Sequence, residues 1–270
     1  VKQRVAAGVA LVLATLLTIG ACSDTDTDPG PQEEPGPQEE PGPQDGAGPA
    51  EEAETITGSG TVVVDSRDVA GFQRIDLAGE GTVEVSVGDE PSLDIETDDN
   101  LMEYLEATVS GDTLTLRTVG DGSFDIEPTA SVVWRVTAPS LVEVGVSGAG
   151  SIDIPGLSGD RLDVTVGGVG DVTLPGLAVD TLVVLVEGVG TVVADGTANR
   201  IDITQSGVGT IDIGDLETTT AGVLITSTSD VVLRATDTVE ISGDGLGTIG
   251  IYGSPEVSGG GDRVTLLDGG

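Results

Sequence analysis

Leu162-Asp163-Val164-Thr165-Val166-Gly167-Gly168-Val169-Gly170-Asp171-Val172-Thr173-Leu174 is the stretch that decides the fold. Aliphatic residues alternate with polar ones on both sides of a Gly-x-Gly pair, so each half has the period of two of a strand with one buried face. The pattern returns at Leu182-Val183-Val184-Leu185-Val186, ahead of Gly188/Gly190 and the following Val192/Ala194. In the same frame stand Gly148/Gly150, Gly207/Gly209 and Gly245/Gly247, with Ser227/Ser229 in one divergent copy and earlier pairs at Gly58/Gly60 and Gly79/Gly81. A unit of about 20 residues cannot close its own core and must stack on its neighbours, equivalent positions lying about 4.8 Å apart. The expected fold is therefore all-β, a parallel β-helix (β-solenoid) with about 20-residue rungs. The corner glycines are expected to supply positive φ where the chain bends. A β-propeller needs roughly twice this period, and the Leu-x-x-Leu-x-Leu frame of leucine-rich repeats is missing.

Upstream of these rungs the pattern is still β but less regular. Thr61–Val64, Phe72–Leu77, Thr82–Val87, Leu93–Glu96, Leu114–Thr118 and Ser131–Thr137 read as strands, and Asp98–Leu105 as a short capped helix. The division expected is an N-terminal β region over 55–140 and solenoid repeats over 141–270. Residues 22–54 form an acidic Pro/Gly-rich tether in which Pro29-Gly30-Pro31-Gln32-Glu33-Glu34 repeats at 35–40. Such a composition buries no core and reads as an extended spacer.

At the start, Lys2 and Arg4 precede the apolar run Val5–Ile19, the pattern of a secretion signal over 1–21. Ile19-Gly20-Ala21-Cys22 resembles the bacterial lipobox, which makes Cys22, the one cysteine of the chain, the expected lipidation site and membrane anchor. An uncleaved anchor and an ordinary signal peptide are the alternatives. The expected location is secreted and held by lipid at the cell surface or in the periplasm.

Composition narrows the chemistry. The chain of 270 residues has 47 Asp+Glu against 10 Lys+Arg, a formal charge of -37, and no histidine. That removes Ser-His-Asp and Cys-His nucleophiles and imidazole metal sites, and it makes nucleic acid an implausible partner. No catalytic residue stands out, and an enzyme is not expected.

Several motifs in order resemble the family named putative auto-transporter adhesin, head GIN domain. They are the repeated Gly-x-Gly units, Phe72-Gln73-Arg74-Ile75, Asp98-Asp99-Asn100-Leu101 and Ile251-Tyr252-Gly253-Ser254-Pro255, over roughly residues 58–270. The resemblance implies a right-handed β-helix in an envelope protein and brings no catalytic residues. The function expected is a membrane-anchored lipoprotein displaying a non-enzymatic β-solenoid as an adhesion-like or protein-binding module. The alternatives are a polysaccharide-binding or polysaccharide-cleaving β-helix using surface carboxylates, and a structural or sensory envelope component.

Three sets of outward residues are candidate sites. Glu143, Asp163, Asp202 and Glu240 fall in one column, where stacked like charges favour either a solvated face or a bound Ca²⁺. The Gly-Gly-x-Gly-x-Asp register of calcium-binding β-rolls is absent, since Asp171 comes one position early. Val183, Leu185, Val193, Leu224 and Val232 point outward and, if they share a face, form an apolar contact for a protein partner or a second copy. Asp160, Asp180, Asn199, Asp237 and Asp262 read as turn residues bonding nearby backbone, with Arg161, Arg200 and Arg263 pairing with the acids beside them. The ligand, a protein or a glycan, is not named by any of these residues.

Overall fold

The computed structural model describes residues 54–119 and 124–268. Cys22, the signal segment and the tether lie outside the described residues. Strands Glu143–Val146, Ala149–Asp153, Ser158–Val166, Val169–Val186, Val189–Gln205, Val208–Ile225, Ser229–Ala235, Thr238–Ser242 and Ile249–Gly253 stack in parallel, the β-solenoid expected from the repeat. Val144, Val164, Val184, Ile203, Val223 and Ile241 lie directly over one another and all are buried. Ile152, Val172, Val192, Ile211, Val231 and Ile249 form a second buried ladder beyond the corner. Burial is worth roughly 1.5–3 kcal/mol for each such side chain, so stacking drives a unit that could not fold alone.

In the three middle rungs, Val169–Val186, Val189–Gln205 and Val208–Ile225, the return between units is not a loop, whereas Asp153 and Ser158 are joined by a turn. Val169–Val186 runs without a break through Pro175-Gly176, where the register shifts between Leu174 and Leu177. Asp160, Asp180 and Asn199 consequently sit inside strands rather than in turns, and Asn199 Nδ2 donates to Asp180 of the rung below at 2.8 Å.

The corner glycines serve in two ways: Gly81 and Gly247, near the ends of the stack, have the expected positive φ of 117° and 129°, whereas those of the middle rungs do not. Gly168, Gly170, Gly188, Gly190, Gly207 and Gly209 are not among the residues with positive φ. Instead a Cβ on Gly168 or Gly188 would lie 2.0 Å from the carbonyl oxygen of the glycine one rung below, and one on Gly190 would lie 1.7 Å away. Close approach of backbones, not handedness, excludes a side chain there. The divergent copy keeps the register, with Ser229 aligned on Gly209 and Thr228 bridging Leu246.

Chain order and stacking order differ at the N-terminal end. Arg74–Leu77 and Glu80–Val87 make a rung in register with Glu143–Val146 and Ala149–Asp153, Gly81 aligning with Gly150. Thr113–Thr118 and Val133–Ala138 stack on the opposite side of that rung. Antiparallel strands then close this end: Leu105–Ser110 on Thr113–Thr118, Ser92–Asp98 on Val133–Ala138, and Val62–Arg67 on Ser92–Asp98. Glu54–Thr57 pairs in parallel with Phe124–Glu127 as a separate two-stranded sheet.

Two sequence expectations fail in this closing region. The helix expected over Asp98–Leu105 is a single 3-10 turn, Met102–Tyr104, with no side-chain cap. Asp98 is fully buried and fastens loops instead of capping a helix. Its carboxylate accepts the amides of Gly60 and Thr129 at 2.8 Å and the Thr129 hydroxyl at 2.6 Å. Gly58/Gly60 is accordingly no rung corner, since a Cβ on Gly58 would strike the Asp98 carboxylate.

Candidate functional site

The strand before each corner contributes one outward face. Its main column runs Arg74, Glu143, Asp163, Val183, Asp202, Gly222, Glu240 and Ser258. Glu143 and Asp163 are neighbours there, whereas Val183 separates Asp163 from Asp202, and Gly222 separates Asp202 from Glu240. Arginines accompany the acids: Arg74 pairs with Glu143, Arg161 with Asp163 at 2.8 Å and Arg200 with Asp202 through Nε and Nη2. Arg161 and Arg200 thus pair with the acids two residues ahead, in the main column, and not with Asp160 and Asn199 beside them. Arg263 donates to the backbone carbonyls of Gly243 and Gly245. The Asp202 hydrogen bond, then its charge, holds the Arg200 guanidinium above its ordinary value. Among the described residues no three acids or thiols are grouped as metal ligands.

Gly222 leaves a hollow of about 510 Å³ on this face, lined by Arg200, Asp202, Leu224, Glu240 and Ser242. It is open and has no aromatic wall. Its one arginine is already held by Asp202.

The apolar candidates do not share a face. Val183, Leu185 and Leu224 belong to the face before the corner, where Thr204 stands between Leu185 and Leu224. Val193 and Val232 belong to the face after it, where Asp212 separates them. Val232 packs close to Gly214 and Gly250, beside Tyr252, whose ring lies 5.2 Å from the Arg234 guanidinium carbon.

A more continuous apolar feature lies on the corner itself. The middle residues of the Gly-x-Gly units, Ala149, Val169, Val189 and Val208, lie in register, and Leu246 extends the row beyond Thr228. Val169, Val189 and Val208 are 59%, 50% and 58% exposed, and Leu246 is 69% exposed. Each valine amide donates at 2.9 Å to the corner glycine one rung below, which fixes the row to the backbone ladder. Reading the glycine pairs as bends passes over this ridge; its signal is the aliphatic residue recurring between the glycines. At one end of the ridge a groove of about 470 Å³ is lined by Gly79, Glu80, Asp125, Ile126, Ala149 and Val169.

The described residues thus form a parallel β-solenoid with an arginine-braced acidic column on one face and an aliphatic ridge along its corner. The chain belongs to the family described as "Putative auto-transporter adhesin, head GIN domain", whose profile matches residues 71–255. A solved structure of a putative adhesin from Bacteroides fragilis is similar at 27% identity and a TM-score of 0.68, over 75% of this chain and 93% of that one. Two others share the fold: a putative lipid binding protein from Parabacteroides distasonis (23% identity, TM-score 0.58, 76% and 95% covered) and a putative adhesin from Parabacteroides merdae (22%, 0.55, 76% and 95%). No curated protein matches the chain. No helix among the described residues is long and apolar enough to cross a membrane.

Proposed function

We propose that this protein is an envelope lipoprotein that presents a non-enzymatic β-solenoid as an adhesion-like, protein-binding module, attached to the membrane through acylated Cys22 and held off it by the acidic spacer. The observation that carries the reading is the corner ridge. Along its corner the stack keeps three consecutive valines in water, and contiguous exposed aliphatics mark contact surfaces. Membership of an adhesin-like family supports display at a cell surface or in the envelope. The arginine pairs on Asp163 and Asp202 argue against free catalytic carboxylates on the acidic face.

The test is made on the full chain in a bacterial host. Cys22→Ser is expected to move the protein from the membrane fraction to the soluble one. Cells bearing the native chain are expected to bind cell-wall or host-protein fractions, and Val169→Ser/Val189→Ser/Val208→Ser is expected to abolish that binding. Retention of Cys22→Ser on the membrane overturns the anchor. Retention by purified glycan with shortening of the polymer overturns the non-enzymatic reading.

A further inference from the structure

We infer that the stack is built in two pieces: the chain from Thr226 onward is an end piece that opens as a unit at one weak joint, above Val208–Ile225, while the turns below stay closed. Backbone pairing marks the joint. Val189–Gln205 pairs with Val208–Ile225 along nearly its whole length, including the return at Asp195–Ala198. Above Val208–Ile225, toward the C-terminus, pairing is divided between Gly209–Ile213 under Ser229–Leu233 and Thr220–Leu224 under Thr238–Ser242. The return of the upper turn is shorter, 233–238 against 213–220, which leaves residues 214–217 out of the pairing.

The corner is broken at the same place. Val169, Val189 and Val208 each donate an amide to the corner glycine one rung below, and among the described residues no such bond runs from Thr228 to Gly207. Side chains repeat the defect inside. In the stack from Glu143 onward, the buried uncharged side chains with unpartnered polar atoms are Gln205, Thr218 and Ser229. All three stand at this joint. Thr218 lies on the return, where its carbonyl accepts the Thr236 amide of the turn above. Ser229 takes a corner position that is glycine in the turns below; a Cβ on the equivalent Gly170 or Gly190 would lie 3.0 or 3.2 Å from Cγ1 of Val146 or Val166. The residue that answers to those valines beneath Ser229 is Gln205. A buried amide and a buried hydroxyl thus meet at the joint, and neither is bonded.

Together these deficits make a release point. A solenoid is held by contacts between neighbouring turns, so it parts where those contacts are weakest. Polar groups buried without partners gain water when the joint opens, which lowers the cost of opening at this boundary. What opens is bounded, because Ser229–Ala235 pairs with Ile249–Gly253, Ile249–Gly253 with Val264–Leu267, and Thr238–Ser242 with Glu256–Gly259. Each strand of the end piece holds the next. Its departure uncovers Ile211, Ile213 and Val223, which are buried in the closed stack. The end piece is a cap that lifts without unwinding the turns beneath it, and neither the membrane anchor nor the corner ridge enters this reading.

The experiment is native-state amide hydrogen exchange on the full chain. Amides of Ser229–Ala235, Thr238–Ser242 and Ile249–Gly253 are expected to share one opening and to exchange at least about tenfold faster than those of Val169–Val186 and Val189–Gln205. The step falls between Ile225 and Ser229. A graded series running inward from Val264–Leu267, or a step at another turn, overturns the joint. Gln205→Val with Ser229→Gly is expected to slow exchange of the end piece about tenfold and to leave Val169–Val186 unchanged. Either substitution alone is expected to act in the same direction, so the comparison survives the loss of one variant. No change in the end piece, or an equal change on both sides of the joint, removes Gln205 and Ser229 as its cause and overturns the proposal.

Discussion

The repeating stack from Glu143 to Ala235 and the closing region from Val62 to Ala138 are both β, yet different forces hold them. In the stack, each rung rests on a copy of itself: aliphatic side chains pile in register and glycine backbones touch, with few side-chain hydrogen bonds into the core. In the closing region the chain reverses, antiparallel strands meet, and particular polar groups tie the segments together. Asp98 gathers Gly60 and Thr129, Trp134 Nε1 donates to the Glu80 carbonyl at 3.2 Å, and Arg67 reaches the Leu105 carbonyl at 2.8 Å. Repetition makes specificity unnecessary inside the stack, because every register is defined by the rung below. Where repetition ends, individual contacts must define it.

The sharpest break of this contrast is a single methyl group at the corner. Gly190→Ala places a Cβ 1.7 Å from the Gly170 oxygen and 2.8 Å from its carbonyl carbon, and a loss of about 3 kcal/mol is expected in chemical denaturation. Gly159→Ala has nothing within 4 Å and no positive φ, and is expected to stabilise by about 0.5 kcal/mol through the unfolded chain. If the two alanines behave alike, close approach is not what the corner glycines provide.

Next in size is Asp98→Asn in the closing region, read by thermal melting across pH. The Thr129 hydroxyl, then the amides of Thr129, Gly60 and Ala130, hold the Asp98 carboxyl below its ordinary value of 3.8. A depressed folded value means that this stabilisation is complete above the ordinary carboxylate range and lost as pH falls through the folded value. The native chain should lose stability on acidification more steeply than Asp98→Asn, whose melting should start lower at neutral pH. Equal acid slopes would remove Asp98 from the account.

A smaller effect tests the stack in the other direction. Gln205 is fully buried between Val186 and Ile225 of its ladder, and neither of its amide atoms has a hydrogen-bond partner. Gln205→Val is expected to raise stability by about 1–2 kcal/mol, since a buried unpaired amide is exchanged for the aliphatic residue its neighbours use. The smallest effect belongs to the acidic face: Arg200→Gln removes an exposed pair and should cost no more than about 0.5 kcal/mol, diminishing in high salt.

Legibility follows the same division. The ladders from Val144 to Ile241 and from Ile152 to Ile249 are readable because period-two alternation and a constant repeat report directly on burial. Asp98-Asp99-Asn100-Leu101 reads wrongly as a helix start because a short acidic cluster has the same composition whether it caps a turn or fastens distant loops. Leu105–Ser110 escapes assignment because Glu106-Ala107-Thr108 carries little strand signal; antiparallel pairing with Thr113–Thr118 makes it a strand. Among the outward residues, alternation shows that Val183, Leu185, Val193, Leu224 and Val232 point out. It does not show that they lie on two faces with Thr204 and Asp212 between them.

The rung, its aliphatic ladders and its glycine corners are written in the order of residues, because stacking copies of one short unit leaves a single way to bury its apolar face. Three-dimensional packing had to settle what the corners are for and which arginine meets which acid. It also set the Arg74–Val87 rung between Glu143–Asp153 on one side and Thr113–Ala138 on the other. Those outcomes depend on separations of a few ångströms between residues far apart along the chain, and local periodicity carries no record of such distances.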